Sequence, residues 1–108
     1  MVKQGDIIWI GLNSQKGSEQ AGRRPAVVVS NDQLNKWSKL SLVCPITNTH
    51  RNYPTHVVLD NSVCVTGEVM CEQIKAVDLS ARTYTLAGTM PQNIMEEISA
   101  TISFIVSV

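Results

Sequence analysis

The chain has 108 residues, nine basic and nine acidic side chains and no formal net charge. A general nucleic-acid binder carries a clear basic excess, because phosphate neutralisation supplies most of its affinity; composition excludes that class unless charge is gathered into a local patch. With 44% apolar and 17% charged residues, disorder is excluded as well, and the length suits one domain, residues 1–108, with one modest core that completes its burial against a partner.

In chain order, the front two-thirds is a series of short apolar runs punctuated by turn residues. Asp6–Ile10 opens after Gly5 and closes at Gly11, and Trp9 within it is read as core. Pro25–Val29 is β-branched and suited to burial on both faces. Ser30-Asn31-Asp32 can cap one or two helical turns through Trp37. Leu42–Ile46 follows, its Pro45 pointing to an edge position or a bulge; then come His56–Leu59, Glu68–Ile74 and a short Thr83–Leu86. Strands so closely spaced, without long intervening helices, predict a small antiparallel barrel or sandwich, mainly β, rather than a parallel sheet. Thr89-Met-Pro-Gln92 carries a capping-box pattern, after which Ile94, Met95, Ile98, Thr101, Ile102 and Ile105 recur at helical spacing, predicting an amphipathic C-terminal α-helix laid on the barrel.

Three cysteines, Cys44, Cys64 and Cys71, are an odd number without a CxxC, and His50 and His56 have no carboxylate at ligand spacing. Reduced, mostly buried thiols are expected, with no metal and no cofactor. His56 is read as structural. The Met1-Val2-Lys3 start leads into no apolar signal segment. The longest apolar tract, Ile98–Val108, is too short to span a bilayer. A cytoplasmic protein without a membrane partner is expected.

One stretch does not look structural. Leu12 to Arg24 is longer than most strand connections, contains Gly17 and Gly22, and is otherwise mostly polar or charged. Arg23 and Arg24 end it, and Pro25 biases Arg24 towards an extended conformation at the mouth of the next strand. A guanidinium held there offers the planar fork that recognises phosphate; a solvated arginine pair bridged to Glu19 fits the composition equally well. Trp37 and Tyr53 are the candidates for stacking on an unpaired base.

Gly5-Asp-Ile-Ile-Trp9, followed by Lys16-Gly-Ser-Glu-Gln-Ala-Gly-Arg-Arg-Pro-Ala-Val-Val-Val-Ser30, resembles the signature of the MazF/PemK toxin family almost residue for residue. Cys44-Pro-Ile-Thr47, Tyr53-Pro54, Glu72-Gln73, Asp78 and Ala81-Arg82 are similar to later segments of the same family. The resemblance implies an SH3-like barrel of the CcdB/PemK type and a homodimer. It also implies a cytoplasmic endoribonuclease that cuts single-stranded RNA without a metal, and a cognate antitoxin that blocks the active groove. By that likeness Arg24 and Thr47 are the catalytic pair, with Glu19 beside them. Lys16, Ser18, Gln20 and Arg23 are then RNA contacts together with Trp37 and Tyr53. Ser18, Met70 and Glu72 stand where the PemK branch has a histidine and an Arg-x-Asp, which places the chain nearer the MazF branch.

The chemistry so implied is attack of a 2′-hydroxyl on the adjacent phosphorus, leaving a 2′,3′-cyclic phosphate. Arg24 suits the phosphate clamp but is a poor base, since a guanidinium pKa lies above about 12. Glu19 is the more natural base, although a neighbouring arginine would weaken it. Two other classes compete with this expectation. One is a toxin on the same fold that inhibits DNA gyrase. The other is a catalytically inactive SH3-like binding module, which five scattered aromatics fit poorly.

Overall fold

Isoleucine and valine runs build the sheet. In the computed structural model, which describes residues 1–11 and 23–108, the strands are β1 (Asp6–Gly11), β2 (Arg23–Val28), β3 (Leu40–Thr47), β4 (His56–Val58), β5 (Glu68–Met70), β6 (Lys75–Asp78) and β7 (Tyr84–Thr89). Helix α1 (Asp32–Trp37) joins β2 to β3, α2 (Gln92–Ile105) follows β7, and single 3-10 turns lie at Cys71–Gln73 and Leu79–Ala81. All the ladders among the described residues are antiparallel.

The strand order is β4-β5-β3-β2-β1-β7, with β6 attached to β3 off that path. This corrects the expected barrel: the protein has a mixed α/β fold whose seven-stranded sheet is not closed. β4 and β7 stand at opposite ends of the order, and no ladder joins them among the described residues. β4 and β5, at the end of the order away from β7, have only three residues each. Apolar cover comes from elsewhere: Ile94, Met95 and Ile98 of α2, with Val63 and Val65, pack with Ile7, Val27, Cys44, Ile46 and Val57.

β3 is a hub rather than an edge. One side pairs with β2, while the other pairs first with β6, from Leu40↔Asp78 to Val43↔Lys75, and then with β5, at Ile46↔Val69 and Thr47↔Glu68. Pro45 sits where the outer partner changes. The bond from the Val29 N–H to the Leu42 carbonyl sets the alternation of the β2·β3 ladder and makes Ala26 and Pro45 a non-hydrogen-bonded pair. The missing proline N–H therefore faces the gap between β6 and β5 and costs no ladder bond.

Because side chains alternate across a strand, the sheet buries both faces. Ile7, Val27, Cys44 and Ile46 look towards α2; Ile8, Ile10, Ala26, Val28, Val43, Val77 and Leu79 form a second cluster with Val2. The continuous β-branched run at Pro25–Val29 reflects this two-sided burial.

Several sequence expectations need adjustment. The Glu68–Ile74 run is a three-residue strand that breaks into the Cys71–Gln73 turn, after which β6 forms at Lys75–Asp78, a strand not foreseen. The capping box at Thr89 is absent: Thr89 ends β7, Pro91 is the N-cap of α2, and no side chain caps it. The helix positions themselves agree, with Ile94, Met95 and Ile98 buried and Ile102 and Ile105 packed beside them. Asn31 caps α1 by accepting from the Leu34 N–H at 2.9 Å, as its sequence predicts.

Candidate functional site

The N-terminal end of β2 brings two arginines, Arg23 and Arg24, to the wall of a concave surface. A cleft of about 470 Å³ is lined by Trp9, Arg23, Arg24, Pro25, Ile46, Asn48, Cys64, Val65 and Thr66. Trp9, expected in the core, is 38% exposed here: its strand is apolar, but its position opposite Pro25 and Thr85 lies beyond the packed centre of the sheet.

Two arginines tie down the rim. Arg23 donates from Nη2 to the Trp9 carbonyl at 3.0 Å and to Thr85 Oγ1 at 2.9 Å. Arg82 donates from Nη1 to the carbonyl of Gly11. The last residue of β1 and the first of β2 are thus held from the β7 side, which fixes where the segment between them starts and ends. Lys16, Ser18, Glu19 and Gln20 fall in that segment, outside the described residues.

Arg24 shares the parity of Ala26 and Val28, whereas Trp9, Pro25 and Ile46 belong to the other face. The β2·β3 ladder ends at Ala26↔Pro45, and continuing its register by two residues sets Arg24 opposite Thr47. Thr47 is buried, lies one strand over from Arg24, and its Oγ1 accepts the Thr49 N–H at 3.2 Å. It does not itself line the cleft, although its neighbours Ile46 and Asn48 do. Gly67 locks its backbone: at φ +121° a side chain there would place Cβ 1.9 Å from the Thr47 carbonyl oxygen.

The other two expected contacts, Trp37 and Tyr53, do not line the cleft. Trp37 is 83% exposed on α1, beside a separate hollow of about 310 Å³ formed with Asn31, Gln33 and Leu34. It follows the far end of β2, a strand length of about 17 Å from Arg24. Tyr53 is half-exposed in the β3–β4 connection, with the guanidinium carbon of Arg51 5.9 Å from its ring centroid and the His56 ring centroid at 5.0 Å.

A second charged cluster was not visible in the sequence. Glu68, with a side chain fully buried, accepts from His56 Nδ1 at 2.7 Å, from the Arg51 N–H at 3.1 Å and from the Asn52 N–H at 3.2 Å. His56 Nε2 meets Glu72 Oε2 at 3.0 Å, and the Thr55 hydroxyl donates to the other oxygen of Glu72 at 2.8 Å. Ionised carboxylates only accept, so the imidazolium form of His56, with a proton on each ring nitrogen, is the one that satisfies both contacts. Burial alone would lower the imidazole pKa, but Glu68 and Glu72 outweigh it and raise it above the ordinary 6.5. His56 in turn holds Glu68 below 4.5 against the opposing effect of burial, with the Asn52 and Arg51 amides assisting. Burial works to raise Glu72, yet its bonds to His56 and Thr55 bring it below 4.5. The signal that could have found this cluster is a lone glutamate inside an apolar run.

Cys44 and Cys71 are buried, Cys64 is exposed, and all three are free. Contact with Cys71 and burial push the Cys44 thiol up, so it is no nucleophile. Among the described residues no group of three His, Cys, Asp or Glu side chains is arranged to hold a metal. No helix among them is long and apolar enough to cross a membrane.

Arg23, Arg24 and Trp9 all contribute to the cleft at one rim of a small antiparallel sheet. Comparison with known proteins makes the class specific. The model of the PemK-like, MazF-like toxins of type II toxin–antitoxin systems matches residues 3–106. The endoribonuclease toxin MazF of Escherichia coli K12 is 36% identical over 102 residues, covering 94% of this chain and 91% of that protein. The endoribonuclease PemK of Escherichia coli is 31% identical over 110 residues, 98% of this chain and 83% of its own length. MazF (Form-I) from Deinococcus radiodurans superposes with a TM-score of 0.85 at 27% identity, covering 99% of this chain and 97% of that one. A MazE-MazF structure (Form-III) from the same organism gives 0.86 at 25%, with the same coverage.

The chain belongs to the MazF/PemK family of toxins, nearer to its MazF-named members than to PemK. Endoribonuclease activity is typical of that family.

Proposed function

We propose that this chain is the toxin of a type II toxin–antitoxin pair and cuts single-stranded RNA in the cytoplasm, at selected sequences, through its own side chains and without a metal cofactor. The observation that carries the reading is Arg24: an exposed arginine before Pro25 at the start of β2 that lines the cleft and falls opposite Thr47 when the β2·β3 register is continued by two residues.

In the proposed reaction the ribose 2′-oxygen forms a bond to the adjacent phosphorus and the bond from phosphorus to the 5′-oxygen breaks. One proton leaves the 2′-hydroxyl for a base and one reaches the departing 5′-oxygen, leaving a 2′,3′-cyclic phosphate and a 5′-hydroxyl. The nucleophile is already in the substrate, so the protein's work is to position the phosphate and stabilise its growing charge. Arg24 clamps the non-bridging oxygens and Thr47 adds a hydroxyl contact. Glu19 takes or returns a proton. Arg23, whose Nη2 already holds the rim together, lends charge from the side. Lys16, Ser18 and Gln20 contact the RNA from the β1–β2 connection. Tyr53 stacks on a base beside the cleft, and Trp37 meets only RNA extending past it.

Exposed Leu86 and Phe104 support pairing into a homodimer. A cognate antitoxin accords with the family's description as toxins of toxin–antitoxin systems and with the MazE-MazF likeness; in the proposed complex it occupies the cleft.

The test is digestion of a long single-stranded RNA by purified protein in EDTA, followed by end-group analysis. Discrete fragments ending in 2′,3′-cyclic phosphate are expected. Intact RNA, with inhibition of DNA gyrase by the same preparation, would replace this reading with the gyrase-directed one.

A further inference from the structure

A buried carboxylate that accepts from two consecutive backbone amides costs a great deal to bury unless those bonds are made, and Glu68 is such a group. Its oxygens take the N–H groups of Arg51 and Asn52 as well as His56 Nδ1–H. Glu68 also stands directly opposite Thr47 in the β3·β5 ladder. The loop between Thr47 and His56 therefore closes over this carboxylate. Asn52 takes a left-handed conformation, φ 54°, which turns the two amides inward and leaves Arg51 and Tyr53 on the outside, both exposed. A second tie, from the Thr66 hydroxyl to Asn48 Oδ1 at 2.9 Å, joins the start of the same loop to a residue of the cleft wall.

Outside the loop, Arg51 Nη1 reaches the Tyr53 hydroxyl at 3.5 Å, and His56 backs the Tyr53 ring from within. An aromatic ring beside a cation, on a loop whose first residue Asn48 lines the cleft that also has Arg23 and Arg24 in its wall, has the composition of a single-strand stacking platform.

We infer that Glu68, acting with His56, is a positioning residue for substrate binding: it holds the Asn48–Thr55 loop so that Arg51 and Tyr53 form a nucleotide-stacking platform continuous with the Arg24 cleft. The inference rests on the endoribonuclease reading above. Glu68 touches no substrate; its effect passes through the two amides it fixes. Glu72 steadies His56 from the other side, and His50 Nδ1, 3.8 Å from Glu68, is the remaining titratable group facing the carboxylate.

Glu68→Gln keeps the shape of the side chain but presents an NH2 group to donors, so at least one of the amides or the imidazole loses its acceptor. The test measures steady-state cleavage of a single-stranded RNA together with hydrogen exchange of the Arg51 and Asn52 amides. In Glu68→Gln, KM is expected to rise about tenfold, the size of one lost stacked base, with kcat changed less than about twofold and protection of both amides lost. Tyr53→Ala, at a residue whose side chain is exposed and makes no hydrogen bond to the buried cluster while its carbonyl keeps the His56 N–H, covers the case in which Glu68→Gln does not fold; it should reproduce the rise in KM with the amides still protected. Unchanged KM in either folded variant overturns the inference, as does retained amide protection in Glu68→Gln. Wild-type protein that leaves RNA intact overturns the endoribonuclease reading and this inference with it; active wild type with indifferent variants overturns the inference alone.

Discussion

Two charged clusters flank β3 and obey opposite rules. At one rim, Arg23 and Arg24 line an open cleft; across the sheet, buried Glu68 and His56 satisfy each other, and the more exposed Glu72 meets His56 from outside. In the proposed function the first receives an outside anion, since cations gathered at a concave surface raise the local concentration of an oppositely charged ligand. The second has no such demand, because each partner neutralises the next. Charge in this small protein is thus divided between recognition and architecture, and Thr47 lies between the two, along the register from Arg24 and paired with Glu68.

Breaking the recognition side should cost the most. Arg24→Ala is expected to lower the rate of RNA cleavage by about a hundred- to a thousand-fold while moving stability by less than about 0.5 kcal/mol, measured by cleavage assay and urea unfolding on one preparation. A next, comparably sharp break is Gly67→Ala. The positive φ and the 1.9 Å approach of a Cβ to the Thr47 carbonyl predict destabilisation on the order of 3 kcal/mol, read as a lower urea midpoint.

The architectural side is best probed by pH. His56 has a raised pKa, so its contribution is complete below 6.5 and is lost as pH climbs through the raised value. Glu68 and Glu72 have lowered values, so theirs is complete above 4.5 and is lost as pH falls through the depressed ones. Thermal melts should show this cluster stabilising most between 4.5 and 6.5, and His56→Gln should flatten both limbs. A profile unchanged by that substitution would mean that the cluster carries no linked protons. Smaller still, Asn31→Ala should cost about 1 kcal/mol by removing the cap of α1. Trp37→Ser, at 83% exposure, should change stability by less than about 0.5 kcal/mol.

The same contrast explains what could be read in advance. Arg23, Arg24 and Pro25 are consecutive, and their meaning lies in local backbone bias and in a family motif, so the rim was legible. His56, Glu68 and Glu72 come together only because β4 and β5 pair with His56 opposite Met70, a register that no local pattern announces. The antiparallel strands and α2 were legible from β-branched runs and helical spacing. Openness of the sheet was not, because it depends on β4 and β7 remaining unpaired at opposite ends of the order, a long-range relation that no local pattern encodes. Trp9 misled for a related reason: its neighbours are apolar, but exposure is decided by where the sheet ends.

The central claim is that the cleft beside Arg24 cuts RNA by using the substrate's own 2′-hydroxyl. The most direct measurement compares two single-stranded RNAs, identical except for one 2′-deoxynucleotide immediately 5′ of the cut. Wild-type protein should cleave the all-ribose strand and bind the deoxy strand without cutting it there. Cleavage of both strands at that position would contradict the account.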